Sequence, residues 1–186
     1  ELLQWYYYNG VVNSFTTLDQ KLDKASETAK MDSLDNNKNT TFLKLDREKS
    51  HDDLDEVRSL EDLKELIISD CDCALKKTAK NLVFSDGNPQ SNIMFIGEAP
   101  GEVEDKTGLP FKGEAGKLLN KMLNAIELDR KNVYLTNIIF WRPPGNRKPT
   151  EEEINVCLPF VKKHIDLIKP KILVLVGAIA AGAILN

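Results

Sequence analysis

The chain is short of cysteine, with three in 186 residues, and of aromatic side chains, at 7%. An odd number of thiols with no export signal points to reduced cysteines or metal ligands rather than a disulfide framework. No window approaches 18 uninterrupted apolar residues, so no segment reads as a membrane-spanning helix. The N-terminus lacks the basic and apolar regions of a secretory signal, which makes a cytoplasmic chain, without membrane association, the expectation. Neither GxGxxG nor GxxxxGK[ST] spacing occurs, which removes the usual nucleotide loops. No internal repeat of useful length is found. What remains is 41% apolar and 29% charged, with 25 Lys+Arg against 29 Asp+Glu, the mixture of one soluble domain plus an appendage. The sequence opens on Glu1 and closes at Asn186 within a stretch that reads as helix.

Charge divides the chain unequally. Residues 1 to 62 carry 8 Lys+Arg and 14 Asp+Glu, while residues 63 to 186 carry 17 and 15, so the acidity belongs to the front part. Within it, residues 1–12 hold an apolar and aromatic run (LLQWYYYNGVV) suited to a short docking helix. Residues 13–55 are rich in Asp, Lys, Asn, Ser and Thr and read as an acidic, polar linker or partly disordered insert. The compact domain is expected over residues 56–186.

Leu54, Val57, Leu60, Leu63, Leu66 and Ile67 recur at helical spacing, predicting a helix to about Ser69. Asn92–Ile96 is a short apolar run breaking into Gly-Glu-Ala-Pro-Gly, the form of a buried strand entering a loop. Glu114–Ile126 then places Ala115, Leu118, Leu119, Met122 and Leu123 on one helical face. Val133–Ile138 predicts a second strand and Lys171–Val176 a third. Between them runs a helix over Thr150–Ile168, opened by a capping box of Thr150 and Glu153, and a last helix begins at Gly177. Alternation of this kind predicts an α/β fold of three layers, helices on both faces of a central parallel sheet. Ligands on such sheets bind beyond the C-terminal strand ends.

The loop after the first strand carries glycines at 97, 101, 108, 113 and 116 together with Glu98, Glu104 and Asp105. Such glycines allow close approach of backbone to a ligand, or form an ordinary turn. The acids suit a polarised water or a cationic sugar better than a phosphate. Asn137, at the end of the second strand, is either a cap or a side chain that offers donor and acceptor together to a base edge. Arg142 and Arg147, in the rigid Arg-Pro-Pro-Gly-Asn-Arg segment, can clamp phosphates or belong to a solvated loop.

Taken in order, GEAPGEVED (97–105), GLPFKGEAG (108–116), VYLTN (133–137), WRPPGNRKPTEEE with Cys157-Leu-Pro (141–159) and PKILVLVG (170–177) resemble the family 4 uracil-DNA glycosylases. The resemblance covers about residues 70–186. It implies an enzyme of base-excision repair that flips uracil out of DNA and hydrolyses its N-glycosidic bond, leaving an abasic site. The partner implied is uracil-containing DNA, and a monomer is expected. By the same resemblance Gly97, Glu98, Ala99, Pro100 and Gly101 line the pocket, Phe111 stacks on the uracil ring and Asn137 reads N3–H and O4. Ala99 stands where other uracil-DNA glycosylases carry an aspartate, so Glu98 or Glu104 is expected to position the water. Arg142, Arg147 and Lys148 are candidate DNA phosphate contacts, with Lys112 nearby.

Two departures accompany the resemblance. The family binds a [4Fe–4S] cluster through four cysteines, whereas this sequence offers Cys71, Cys73 and Cys157, with Trp141 at the place of a ligand. Three thiolates hold a cluster only with adjusted geometry or a further ligand; the alternative is a cluster-free relative with Trp141 as filling. The family also continues to a further strand and a His-containing loop, so the chain is expected to be a C-terminally truncated copy. His51 falls in the linker region, and His164 is expected on a solvated helix face. An inactive fragment that binds DNA or uracil without turnover is the alternative function.

Overall fold

A computed structural model of the chain describes residues 54–185. The expected docking helix at 1–12 and nearly all of the expected linker at 13–55, His51 included, lie outside the described residues.

Helix α1, Leu60–Asp70, starts later than its apolar spacing predicts. Ser59 is in extended conformation and its hydroxyl accepts the Asp62 amide at 3.0 Å, while the Asp62 carboxylate accepts the Ser59 amide at 3.0 Å. This reciprocal cap sets the helix entry, and Leu54 and Val57 join the core from outside the helix. After a 3-10 turn at Ala74–Lys77 come strand β1, Asp86–Gly87, and strand β2, Ile93–Gly97. A short helix α2, Glu102–Thr107, follows where the glycine-rich sequence reads as loop. Then come helix α3, Glu114–Asn124, strand β3, Tyr134–Asn137, and helix α4, Glu151–Ile168. Strand β4, Ile172–Leu175, and helix α5, Ala178–Leu185, complete the order.

The sheet order is β1-β3-β2-β4. β2 pairs in parallel with β3 and with β4, as expected, but β1 joins β3 antiparallel, so the sheet is mixed rather than wholly parallel. A two-residue strand lacks the apolar run that marks the others.

Alternation along the strands builds the layers. Met94, Ile96 and Tyr134 belong to one hydrophobic cluster with α1, α4 and α5 residues; Leu135 belongs to a second with Leu119 and Leu123 of α3, with Ile93 and Phe95 packed against it. The three-layer expectation therefore holds, with helices on both faces. β4 is an edge strand among the described residues, and Ile172 is 49% exposed.

Two sequence expectations fail at side chains. On α3 the buried stripe is Gly116, Leu119 and Leu123, while Leu118 and Met122 face solvent at 59% and 52% exposure. Gly116 decides this register, because a Cβ there would lie 1.8 Å from the Phe111 carbonyl oxygen. His164 is fully buried rather than solvated. Its Nε2 lies 2.6 Å from the Tyr134 hydroxyl and its ring stacks on Phe84 at 4.6 Å. It falls on the inward stripe Cys157, Phe160, Val161, His164 of α4, which outweighs the polarity of its two lysine neighbours.

Candidate active site at the strand ends

Gly97 and Asn137 are register partners at the C-terminal ends of β2 and β3. That pairing places the first loop beside Asn137, and a cavity of about 500 Å³ opens there. Gly97, Glu98, Ala99, Pro100 and Gly101 form one wall, and Phe111, Asn137 and Arg147 line it too. Sequence segments far apart in the chain thus meet at one opening.

Gly97 is the closest point of the site. A Cβ on it would stand 2.5 Å from Asn137 Oδ1 and 2.7 Å from Phe111 Cζ, so only glycine lets the amide and the aromatic ring approach the strand end together. Asn137 is 3% exposed, and no hydrogen bond of its side-chain amide is found among the described residues. Phe111 is 9% exposed and shares a cluster with Leu119, Leu123, Val133 and Leu135, so its ring is both core and pocket wall. Its backbone lies in the left-handed region, with φ of 55°.

The two candidate carboxylates differ in their surroundings. Glu104 is buried, and it accepts the amides of Gly101 at 3.1 Å, Lys112 at 2.8 Å and Gly113 at 2.6 Å. It fastens the start of α2 to the segment before α3, an arrangement of charge-assisted bonds that fixes the loop. Glu98 is half-buried, lines the cavity and makes no side-chain hydrogen bond or ion pair among the described residues. Asp105 is also structural: its Oδ1 accepts the amides of Lys80 and Asn81 at 2.8 and 3.2 Å.

The basic candidates are less free than their sequence suggests. Arg147 forks onto Glu153, Nη1 to Oε2 at 2.9 Å and Nη2 to Oε1 at 2.6 Å. The guanidinium holds the Glu153 carboxyl below the usual carboxylate range. Arg142 Nε donates to Asn146 Oδ1 at 2.7 Å, and Lys112 Nζ lies 2.9 Å from Asp86 Oδ2. Lys148 is exposed. Lining residues that the sequence reasoning missed include Pro143, Asn146 and Val176, which the chain path beyond β3 and β4 delivers. Lacking a distinctive side-chain chemistry, Pro143 and Val176 had no signal to find.

Cys71, Cys73 and Cys157 are all buried, with free thiols. The neighbouring Cys71 and Cys73 thiols, together with burial, push the Cys157 thiol up, and the neighbouring Cys157 brings Cys73 down to about 7. Trp141 is buried in the same hydrophobic cluster. Among the described residues no group of three or more His, Cys, Asp or Glu side chains is arranged to hold a metal ion. Three thiols and an indole sharing one hydrophobic cluster do not supply the four thiolates of an iron–sulfur centre. No described helix is long and apolar enough to cross a membrane.

The type-4 uracil-DNA glycosylase of Sulfurisphaera tokodaii is 50% identical over 120 residues, covering 64% of this chain and 54% of the relative. That of Archaeoglobus fulgidus is 45% identical over 130 residues, covering 70% and 65%. That of Thermotoga maritima is 44% identical over 108 residues, covering 58% and 56%. The chain thus spans between about half and two thirds of the length of these relatives. The model of the uracil DNA glycosylase superfamily matches residues 84–186, a span that contains the whole cavity lining and more than half of the chain, and the chain belongs to that superfamily.

Proposed function

We propose that the chain removes uracil from DNA by hydrolysing the N-glycosidic bond, leaving an abasic site. The observation that carries this reading is the convergence of the Phe111 ring and the Asn137 amide on Gly97 at the cavity floor. An aromatic face beside an amide with no hydrogen bond among the described residues suits a flipped pyrimidine: the ring stacks, and the amide offers an acceptor to N3–H and a donor to O4. Cytosine reverses that pattern at both atoms and leaves the buried amide unsatisfied.

Bond cleavage separates an anionic base from a sugar with oxocarbenium character, and a water oxygen bonds to C1′ as N1 leaves. Glu98 is the carboxylate with the freedom to orient that water and to stabilise the cationic sugar. Glu104 acts at one remove, holding the loop from which Glu98 and Phe111 project. Arg142, Lys148 and Lys112 contact DNA phosphates, with Arg147 chiefly supporting the rim through Glu153.

The test is single-turnover incubation with a uracil-containing oligonucleotide, followed by alkaline cleavage of abasic sites. Strand scission by the chain, reduced about 10² to 10⁴-fold in Glu98→Gln, is the expected result. Selective retention of uracil DNA with no scission would instead identify a binding module, and neither scission nor retention would overturn the reading.

A further inference from the structure

We propose that Arg130 is a positioning residue for the base-stacking aromatic, acting on the Phe111 backbone from outside the cavity. The inference rests on the functional reading above and adds a residue to it. Arg130 Nη2 donates to the Pro110 carbonyl at 2.7 Å and to the Phe111 carbonyl at 3.0 Å, and Nη1 donates to the same Phe111 carbonyl at 3.2 Å. Its Nε donates to Asp86 Oδ2 at 3.2 Å, and that oxygen also receives Lys112 Nζ at 2.9 Å. One guanidinium and one carboxylate therefore tie down residues 110, 111 and 112 in succession.

The segment needs such a hold. Phe111 is a non-glycine residue at φ of 55°, a conformation that side chains bearing a Cβ disfavour. Its carbonyl lies so close to Gly116 that a Cβ there would come within 1.8 Å. On the opposite side, Glu104 binds the amides of Lys112 and Gly113. The carbonyls of 110 and 111 are thus fixed by Arg130, the amides of 112 and 113 by Glu104, and the ring is left aimed at Gly97. Asp86 belongs to β1, the short antiparallel strand, and through that strand a carboxylate reaches the back of the Phe111 turn. Arg130 itself does not line the cavity, so its influence on a bound base passes through Phe111. Only a planar fork reaches two carbonyls and a carboxylate at once, and lysine cannot replace it fully.

The experiment is a double-mutant cycle in the full chain, with Arg130→Ala, Phe111→Ala and the pair, plus Arg130→Lys. Three quantities are read: single-turnover excision of uracil, the melting midpoint, and hydrogen exchange of the amides of residues 111–113. Arg130→Ala should slow excision by about tenfold to a hundredfold, the scale of a misplaced binding group. In the Phe111→Ala background the same change should cost less than about twofold, and Arg130→Lys should restore part of the loss. Exchange at residues 111–113 should rise while the strands keep their protection. Multiplying losses in the pair would show that Arg130 does not act through Phe111 and would overturn the proposal, as would unchanged exchange at 111–113. If the unaltered chain neither excises nor retains uracil DNA, the functional reading fails on its own account, and the exchange measurement alone decides whether Arg130 holds the segment. Should Arg130→Ala not fold, Arg130→Lys carries the same three readouts.

Discussion

Asn137 shows what a single residue contributes. It is nearly sealed from solvent, its register partner is a glycine, and its amide has no hydrogen bond found within the described chain. Its polar atoms are not among the sealed, unsatisfied ones of the described residues, so the amide meets the cavity and is available to a ligand there. Asn137→Ala should abolish discrimination of uracil from cytosine and lower single-turnover excision roughly 10²-fold or more, measured on matched oligonucleotides. The three thiols make a different residue-scale prediction. Cys71, Cys73 and Cys157 are buried in one hydrophobic cluster, and Trp141 is buried in the same cluster at the place where a further thiolate is expected. Iron and sulfide analysis of anaerobically purified protein should find well below one [4Fe–4S] cluster per chain; about four irons with matching sulfide would refute this.

Among the elements, α4 ties the fold to the site. Its N-terminus is closed by Thr150, whose hydroxyl accepts the Glu153 amide at 3.2 Å while Glu153 Oε2 accepts the Thr150 amide at 2.8 Å. The same Glu153 carries Arg147 at the cavity rim. Thr150→Ala should therefore lower stability by about 1 kcal/mol, seen as a melting midpoint reduced by a few degrees, with little effect on the chemistry. Glu153→Gln should reach further: weakening the fork frees Arg147, so stability falls and the salt dependence of DNA binding changes together. Helix α2 teaches a related point. It contains Glu104 and Asp105, which the loop reading groups with Glu98 as an acidic cluster near a substrate. Once the helix forms, Glu104 and Asp105 turn inward and bind backbone amides, and Glu98 is left as the cavity's unengaged carboxylate.

For the molecule as a whole, the buried pair of Tyr134 and His164 links β3 to α4 and makes stability depend on pH. Burial pushes His164 down to about 3 from an ordinary value of 6.5, so the folded chain keeps it neutral where the unfolded chain takes up a proton. Its contribution is present above pH 6.5 and declines as pH falls toward 3, with a slope approaching about 1.4 kcal/mol per pH unit for one proton. The melting midpoint should fall between pH 6.5 and about 5, and His164→Gln should flatten that fall; an equal fall in both would refute the assignment. Much of this architecture was legible in the sequence. Apolar runs marked β2, β3 and β4 and the Thr150 box marked α4, because local periodicity and chain breaks act over a few residues, while residues 97–101, 111 and 137 were pointed to by the family resemblance of their motifs. Arg130, Asp86, the inward turn of Glu104 and His164, and the outward face of Leu118 and Met122 were not. Each depends on a partner remote in the chain: Arg130 on carbonyls 20 and 19 residues earlier, Asp86 on Arg130 44 residues later, His164 on a tyrosine 30 residues before it. The sequence by itself determined the longer elements and the chemistry available to them, whereas the short β1 and α2 lacked a local signal. Tertiary structure alone decided which carboxylates and cations stay free, since hydrogen-bonding capacity inside a folded chain is assigned by distance and not by residue type.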